Sequence, residues 1–472
     1  MKRIAPRSTL LLLISFVFLV VPARADVRLP SIFSSHLLLQ RDVENPLWGT
    51  ADPDEKISVK LDDKAIATQA GPDGRWSVKL PATAAGGPHK IVIEDATGEN
   101  RITLSDVLFG ELWVCSGQSN MEMGLNSTDH AQEDIAAADL PQIRLFTIPK
   151  TRADGPQEDC QGRWARCTPK TAENFSATAY FFGVDLQKAL GVPVGLIHTS
   201  WGGTPAESWT PRPSLEAQPT LKHMAGGSSQ LYNGMIHPLI RLPIAGAIWY
   251  QGESNVGKAA QYHKLFPVMI EGWREAWHAP KLPFYFVQIA PYRYNADGGQ
   301  ACAELWDAQF ETMQTLPNTG MAVITDSDSV GDIHPRNKRI CGQRLALWAL
   351  AKTYGKSDLV YSGPIYKSFK AEGVVDPDNI RLSFDSIGGG LVSRDGKPLT
   401  NFTIAGADQK FVPATAVIDG NTIVVHSDSV TKPLAVRFGW NETAEPNLIN
   451  KEGLPASPFR TDDWKLVTEG RK

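Results

Sequence analysis

Four short segments of this chain hold residue types that together can move an acyl group. Gly117-Gln118-Ser119-Asn120-Met121 offers a hydroxyl, and Ser200-Trp201-Gly202-Gly203-Thr204 offers backbone N–H groups on glycines. Gln251-Gly252-Glu253-Ser254-Asn255 brings amides and a carboxylate, and an acidic loop ends in Gly331-Asp332-Ile333-His334-Pro335 with an imidazole. A serine hydroxyl is a poor nucleophile until an imidazole takes its proton, and a carboxylate must hold that imidazole in the right tautomer. The tetrahedral oxyanion then needs two or three preorganised donors, each worth roughly 3–4 kcal/mol of barrier. Glycine suits such a donor because no Cβ stands between its N–H and the substrate.

These segments need elements that bring them to one place. Each follows an apolar run that reads as a buried parallel strand: 111–115, 194–199, 244–250 and 321–325, with 284–290 as a fifth. Between them lie helix-compatible stretches at 180–190, 259–277, 304–315 and 338–354. Strand–helix alternation predicts an α/β domain over 106–354, a parallel sheet covered by helices on both faces. Ligands of such sheets bind outside the carboxyl ends of the strands, which is where all four segments fall. The flanks differ in texture. Residues 26–105 and 355–472 alternate short apolar runs with turn signals such as Gly71-Pro72-Asp73-Gly74 and Asp419-Gly420-Asn421, the rhythm of antiparallel β modules.

Gly117-Gln118-Ser119-Asn120-Met121, Trp249-Tyr250-Gln251-Gly252-Glu253-Ser254-Asn255 and Asp332-Ile333-His334-Pro335 together resemble the sialate O-acetylesterase family, which belongs to the SGNH-type carbohydrate esterases. Leu231-Tyr232-Asn233-Gly234-Met235-Ile236 and Ser200-Trp201-Gly202-Gly203 share its texture. The likeness spans residues 107 to about 352, and several motifs in the right order make it specific. It implies an SGNH-hydrolase-like sheet, Ser119 as nucleophile, His334 as general base and Asp332 as the acid that orients it, with Glu253 as the alternative acid. It further implies an oxyanion hole from the N–H groups of Ser119 and Gly203 and the Gln251 side chain. Asn120, Trp201, Glu253, Asn255 and Asn233 are the expected substrate-binding residues. The implied activity is removal of O-acetyl groups from carbohydrate with no cofactor and no metal. The substrate is an acetylated sialoside or, alternatively, an acetylated hemicellulose such as xylan or xyloglucan. A carbohydrate-binding protein on the same fold without turnover is the competing reading from another class.

Several residues have plainer readings. Ser119 could cap a helix. His198 sits inside an apolar run and reads as a core residue, and His237 precedes Pro238 and reads as structural. Asp326 and Asp328 share the acidic loop with Asp332, and Trp201 and Trp209 could either stack on a sugar or be buried.

The whole chain bounds these readings. Lys2, Arg3 and Arg7 precede an apolar run at 10–21, and Ala23-Arg24-Ala25 follows, so residues 1–25 are expected to be a signal peptide that exports the protein to the periplasm or the medium. Without that segment's four basic side chains, 43 Lys and Arg would face 51 Asp and Glu, a formal charge near −8. That balance speaks against a nucleic-acid partner. No other apolar run approaches the roughly 20 residues that cross a bilayer, so no membrane span is expected. Five cysteines are too few for a disulfide scaffold; Cys160 with Cys167 is the pairing expected first, Cys302 with Cys341 second, and Cys115 is left as a buried thiol.

Overall fold

A computed structural model describes residues 1–2, 27–327, 330–373 and 378–471. The apolar run and cleavage pattern of the expected signal peptide lie outside the described residues, as does Asp328. The five apolar runs are all strands of one sheet. Its parallel part comprises β1 (Arg101–Gly117), β2 (Leu140–Thr147), β3 (Val194–Ser200), β4 (Gly246–Tyr250), β5 (Phe284–Val287) and β6 (Thr319–Ala322). Their spatial order is β6-β5-β4-β1-β3-β2, every pair parallel, and Ala165–Cys167 closes the β2 edge antiparallel. Every residue of β3 and β4 is buried, as strands covered on both faces require, and this makes them continuous apolar runs in sequence.

Helices cover both faces. Successive side chains on a strand point to opposite faces. On β6, the Thr319 hydroxyl donates to Leu316 O below the helix α3 (Gln300–Thr315), while a Cβ at Gly320 would meet the Trp348 ring of α4 (Lys338–Lys352). Here α1 (Ala177–Leu190) and α2 (Ala259–Ala276) take the lower numbers. The pair α1 and α4 packs closely, Gly342 lying against Phe181 and Phe182. On the other face α2 meets α3, where His263 lies 2.5 Å from Glu311.

Two features depart from the expected plan. The boundary expected between residues 105 and 106 falls inside β1. Over 101–106 that strand is largely exposed and pairs antiparallel with Gly86–Asp95; from Val107 onward it is wholly buried. Leu38–Gln40 adds in parallel beside Leu108, Phe109 and Gly110. The sheet is therefore mixed and continuous, with eleven strands among the described residues. In addition, β2 was not among the expected strands, because Pro141, Gln142 and Arg144 break its apolar pattern. Arg144 is nonetheless buried, its guanidinium donating to Asp106 Oδ1 at 2.9 Å and to Pro141 O.

The C-terminal stretch forms separate antiparallel sheets, one with Ile365–Glu372, Asn379–Asp385, Thr422–His426 and Thr415–Asp419. Its tail returns to α3, where the N–H groups of Val467 and Thr468 donate to the Glu304 carboxylate. All five cysteines are free and buried, which corrects both expected pairings; burial pushes the Cys160 and Cys167 thiols up to about 12. Among the described residues, no helix is long and apolar enough to cross a membrane.

Strand register aligns the ends that matter. Gly117 stands opposite Ser200 on one side and Tyr250 on the other, so the segments after β1, β3 and β4 leave the sheet together. Gly117 has φ +141°, and a Cβ there would lie 2.1 Å from the Tyr250 carbonyl oxygen. Only glycine lets the chain leave the strand at this point. Gly117→Ala is expected to lower stability by about 2 kcal/mol or more and to abolish turnover, read by denaturant unfolding and ester hydrolysis. A variant with wild-type stability and rate would refute this steric account.

Candidate active site

Immediately after Gly117 the chain turns into a single helical turn, Ser119–Glu122. Gln118 occupies its N-cap without a side-chain cap bond, so Ser119 is not the cap. Gln118 N–H donates to Tyr250 O at 3.0 Å, and its side-chain oxygen accepts from Ser254 N–H at 3.3 Å. Both contacts tie the turn to the end of β4. Ser119 Oγ lies 2.8 Å from His334 Nε2, across 215 residues of sequence. This is the distance at which an imidazole can take a hydroxyl proton.

His334 reaches that position from the loop between β6 and α4. Asp332 Oδ1 accepts the His334 backbone N–H at 2.9 Å, and Ile333 O accepts from Asn120 Nδ2 at 2.9 Å. The exposed Asp332 carboxylate thus braces the turn that carries the imidazole. The His334 pKa is held below the ordinary histidine value by burial first and the Lys338 cation second, with Asp332 pulling the other way.

Two backbone donors lie in the segments that adjoin this pair. Ser119 N–H is in the first helical turn, where amides have no partner within the helix. Gly203 N–H lies in the loop after β3, which is stitched to the end of β1 by Trp201 N–H donating to Gly117 O at 3.1 Å. Among the described residues neither donor has an acceptor. Gly203 has φ +73° with open space where a Cβ would stand. The adjacent Gly202 packs on Ser119, a Cβ there falling 3.2 Å from Ser119 Cβ, and its N–H donates to Glu122 Oε2 at 2.6 Å.

Other expected site residues are engaged elsewhere. The Gln251 amide is spent: Nε2 donates to Thr204 O and to Asn255 Oδ1, and Oε1 accepts from Tyr262 OH. It does not supply the expected third oxyanion donor. Asn255 is buried, bonding Ala206 N–H and Glu207, and so shapes the loop after β3 instead of meeting substrate. Asn233 is likewise buried, its amide donating to Ala153 O at 3.1 Å. Trp209 lies fully in the core, whereas Trp201 is half-buried beside Gly202.

Asn120 and Glu253 belong to a buried brace that includes Lys338, which the sequence reading overlooked. Asn120 Nδ2 donates to Glu253 Oε1 at 2.5 Å, and Asn120 Oδ1 accepts from Lys338 Nζ at 2.5 Å. All three side chains are buried. Burial raises the Glu253 pKa and brings that of Lys338 down to about 8. One sequence signal could have flagged Lys338: it is the first residue of α4, where the helix dipole disfavours a cation. The remaining candidates are structural. His198 is buried against Ser200 Oγ at 2.6 Å with its pKa lowered to about 4, His237 contacts Gln157 O, and Asp326 grips Arg344 through both oxygens.

Known proteins resemble this chain over nearly its whole length. The family model described as carbohydrate esterase, sialic acid-specific acetylesterase, matches residues 110–347. The chain is 32% identical to a sialate O-acetylesterase of Pongo abelii over 92% of each chain. It is 30% identical to that of Rattus norvegicus, covering 92% of this chain and 94% of the other. A solved carbohydrate acetylesterase from Xanthomonas citri superposes with a TM-score of 0.87 at 41% identity, covering 93% of this chain and all of that one.

His334 must be neutral to accept a proton, so kcat/KM is expected to fall only as pH drops below the ordinary histidine range. Lys338→Met removes a cation beside the imidazole and should move this acid limb to higher pH. Asp332→Asn removes an anion and should move it lower. pH profiles of the two variants decide the matter, and shifts in the same direction would contradict it.

Proposed function

The chain belongs to the carbohydrate esterase family of sialic acid-specific acetylesterases, and on that footing we propose that it is an exported serine esterase acting on O-acetylated sialic acids through an acetyl-enzyme. The observation that carries this reading is the 2.8 Å contact between Ser119 and His334, with the Ser119 and Gly203 N–H groups of the adjoining segments lacking acceptors among the described residues. Ser119 Oγ attacks the ester carbonyl while His334 Nε2 takes its proton. The oxyanion lies against Ser119 N–H and Gly203 N–H. The tetrahedral intermediate expels the sugar alkoxide, which His334 protonates. Water, deprotonated by His334, then attacks the acetyl-enzyme and releases acetate, restoring Ser119. Asp332 orients the imidazole and stabilises its cation by charge and by holding the turn on which it stands. The signal-like N-terminal sequence supports export to the periplasm or the medium.

An acetylated hemicellulose is the second reading, since the 41% identical Xanthomonas citri protein is described as a carbohydrate acetylesterase, a coarser class that takes in both substrates. Acetate release from a panel of O-acetylated sialic acids and acetylated xylan and xyloglucan oligosaccharides separates the two. A serine-directed fluorophosphonate is expected to label the protein once, at Ser119. Peptide mapping that finds the label elsewhere on active enzyme would overturn the nucleophile.

Asp332→Asn should lower kcat/KM by roughly 10- to 100-fold, the worth of one hydrogen bond to a charged group, because the carboxylate holds the His334 backbone and favours the imidazolium. Glu253→Gln should cost less, because Glu253 reaches the site only through Asn120, whereas Asp332 holds the His334 backbone and its charge acts on the imidazole. The reverse ranking in folded variants would give the acid role to Glu253. Acetyl esters should be turned over faster than butyryl esters, in keeping with membership of an acetylesterase family. Faster turnover of octanoyl than of acetyl esters would refute that acyl preference.

A further inference from the structure

The motif at 231–236 takes no part in the chemistry described above, yet it fixes a segment that crosses the loop after β3. Residues 148–157 leave the carboxyl end of β2, and Ala153 is anchored twice. Its N–H donates to Gln230 O at 3.1 Å, and its carbonyl accepts from Asn233 Nδ2 at 3.1 Å. On the other side, Gly234 approaches so closely that a Cβ would lie 2.4 Å from the Thr151 carbonyl oxygen. Arg152 sits between these two held residues. Its guanidinium lies over the Trp201 ring, Cζ 5.0 Å from the centroid. Trp201 is the residue immediately before the Gly202-Gly203 pair.

Lys150 is near the same ring, 5.8 Å from its centroid, but is paired with Glu122 at 2.5 Å, whose other oxygen takes the Gly202 N–H. Arg152 is different: among the described residues it has no carboxylate partner. A stacked guanidinium uses its face on the ring and keeps its N–H edge free, the edge that grips a carboxylate in two parallel hydrogen bonds. Other arginines are less suited. Arg212 is paired with Glu216, and Arg241 stacks on Trp48 in the N-terminal region. Arg293 and Arg336, exposed near the His334 loop, have no ring beneath them among the described residues.

We infer that Arg152, stacked on Trp201, is a subsite for the carboxylate of an acidic sugar whose O-acetyl group lies at Ser119. The inference rests on the serine-esterase reading and deepens it, because it names the group that would set an acidic sugar apart from a neutral one. Asn233 and Gly234 then serve specificity indirectly, by fixing the backbone that carries the arginine.

The test compares acetate release from an O-acetylated sialic acid and from its methyl ester, which has the same acetyl group and no carboxylate charge. Wild-type enzyme should favour the acid, and Arg152→Ala should lower the acid-to-ester ratio of kcat/KM by about 10- to 100-fold, mostly through KM. Arg152→Lys should restore part of the ratio, since it returns the charge without the fork. Thermal unfolding of each variant confirms that the comparison is between folded proteins. A ratio in Arg152→Ala equal to that of wild type overturns the subsite and leaves the esterase reading standing. Wild-type enzyme that cleaves both compounds equally also overturns it. Absence of acetate release from every sugar tested, with Ser119 unlabelled by the phosphonate, removes the reading on which it rests.

Discussion

The side-chain amide of Asn120 is the joint on which this site depends. Its oxygen faces the Lys338 ammonium and its nitrogen faces the Glu253 carboxylate, so two buried charges set which way the amide points. In that orientation the nitrogen also donates to Ile333 O and holds the loop bearing His334. Three parts of the fold meet there: the turn after β1, the segment after β4 and the first residue of α4. Burying two charges is costly, and neither bonds the other directly. Their contribution is positional. They hold an imidazole and a hydroxyl from distant parts of the chain at hydrogen-bonding distance without themselves touching the reacting atoms.

This joint shows why the sequence could be read only partly. Strands wholly buried in a parallel sheet write themselves as apolar runs, and loops at their carboxyl ends collect the chemistry, so the segments that hold Ser119, Gly203 and His334 could be found from residue type and place, and the family resemblance singled out those residues within them. Pairing between side chains is not written in this way. Gln251, Asn255 and Asn233 have the types that bind sugars, and their amides were available until the structure supplied their partners. Lys338 was overlooked for the opposite reason, since a lysine opening a helix looks like surface. Strand β2 escaped because a buried arginine satisfied by Asp106 resembles a break in the pattern.

The family relationship and the geometry constrain different things. Membership of the acetylesterase family speaks to the reaction, and the similarity of the fold to the Xanthomonas citri enzyme extends over nearly the whole chain. The glycan is decided by what surrounds the reacting bond, and here the surroundings are unequal. Glu122 neutralises Lys150 and engages the Gly202 N–H, while Arg152 keeps its charge over an aromatic face. A short stretch after β2 therefore carries more information about substrate than the motifs that identify the family.

The length of β1 has a mechanical consequence. Its 17 residues belong at one end to the antiparallel strands of the N-terminal region and at the other to the parallel core that ends at Gly117. A strand shared in this way joins the two regions by continuous main chain, with Asp106 at φ +57° where one part passes into the other. The position of Gly117, and of the turn that follows it, is therefore tied through unbroken main chain to the N-terminal strands, so a substitution that disturbs the pairing of Gly86–Asp95 with β1 can reach the turn at Ser119 through the backbone.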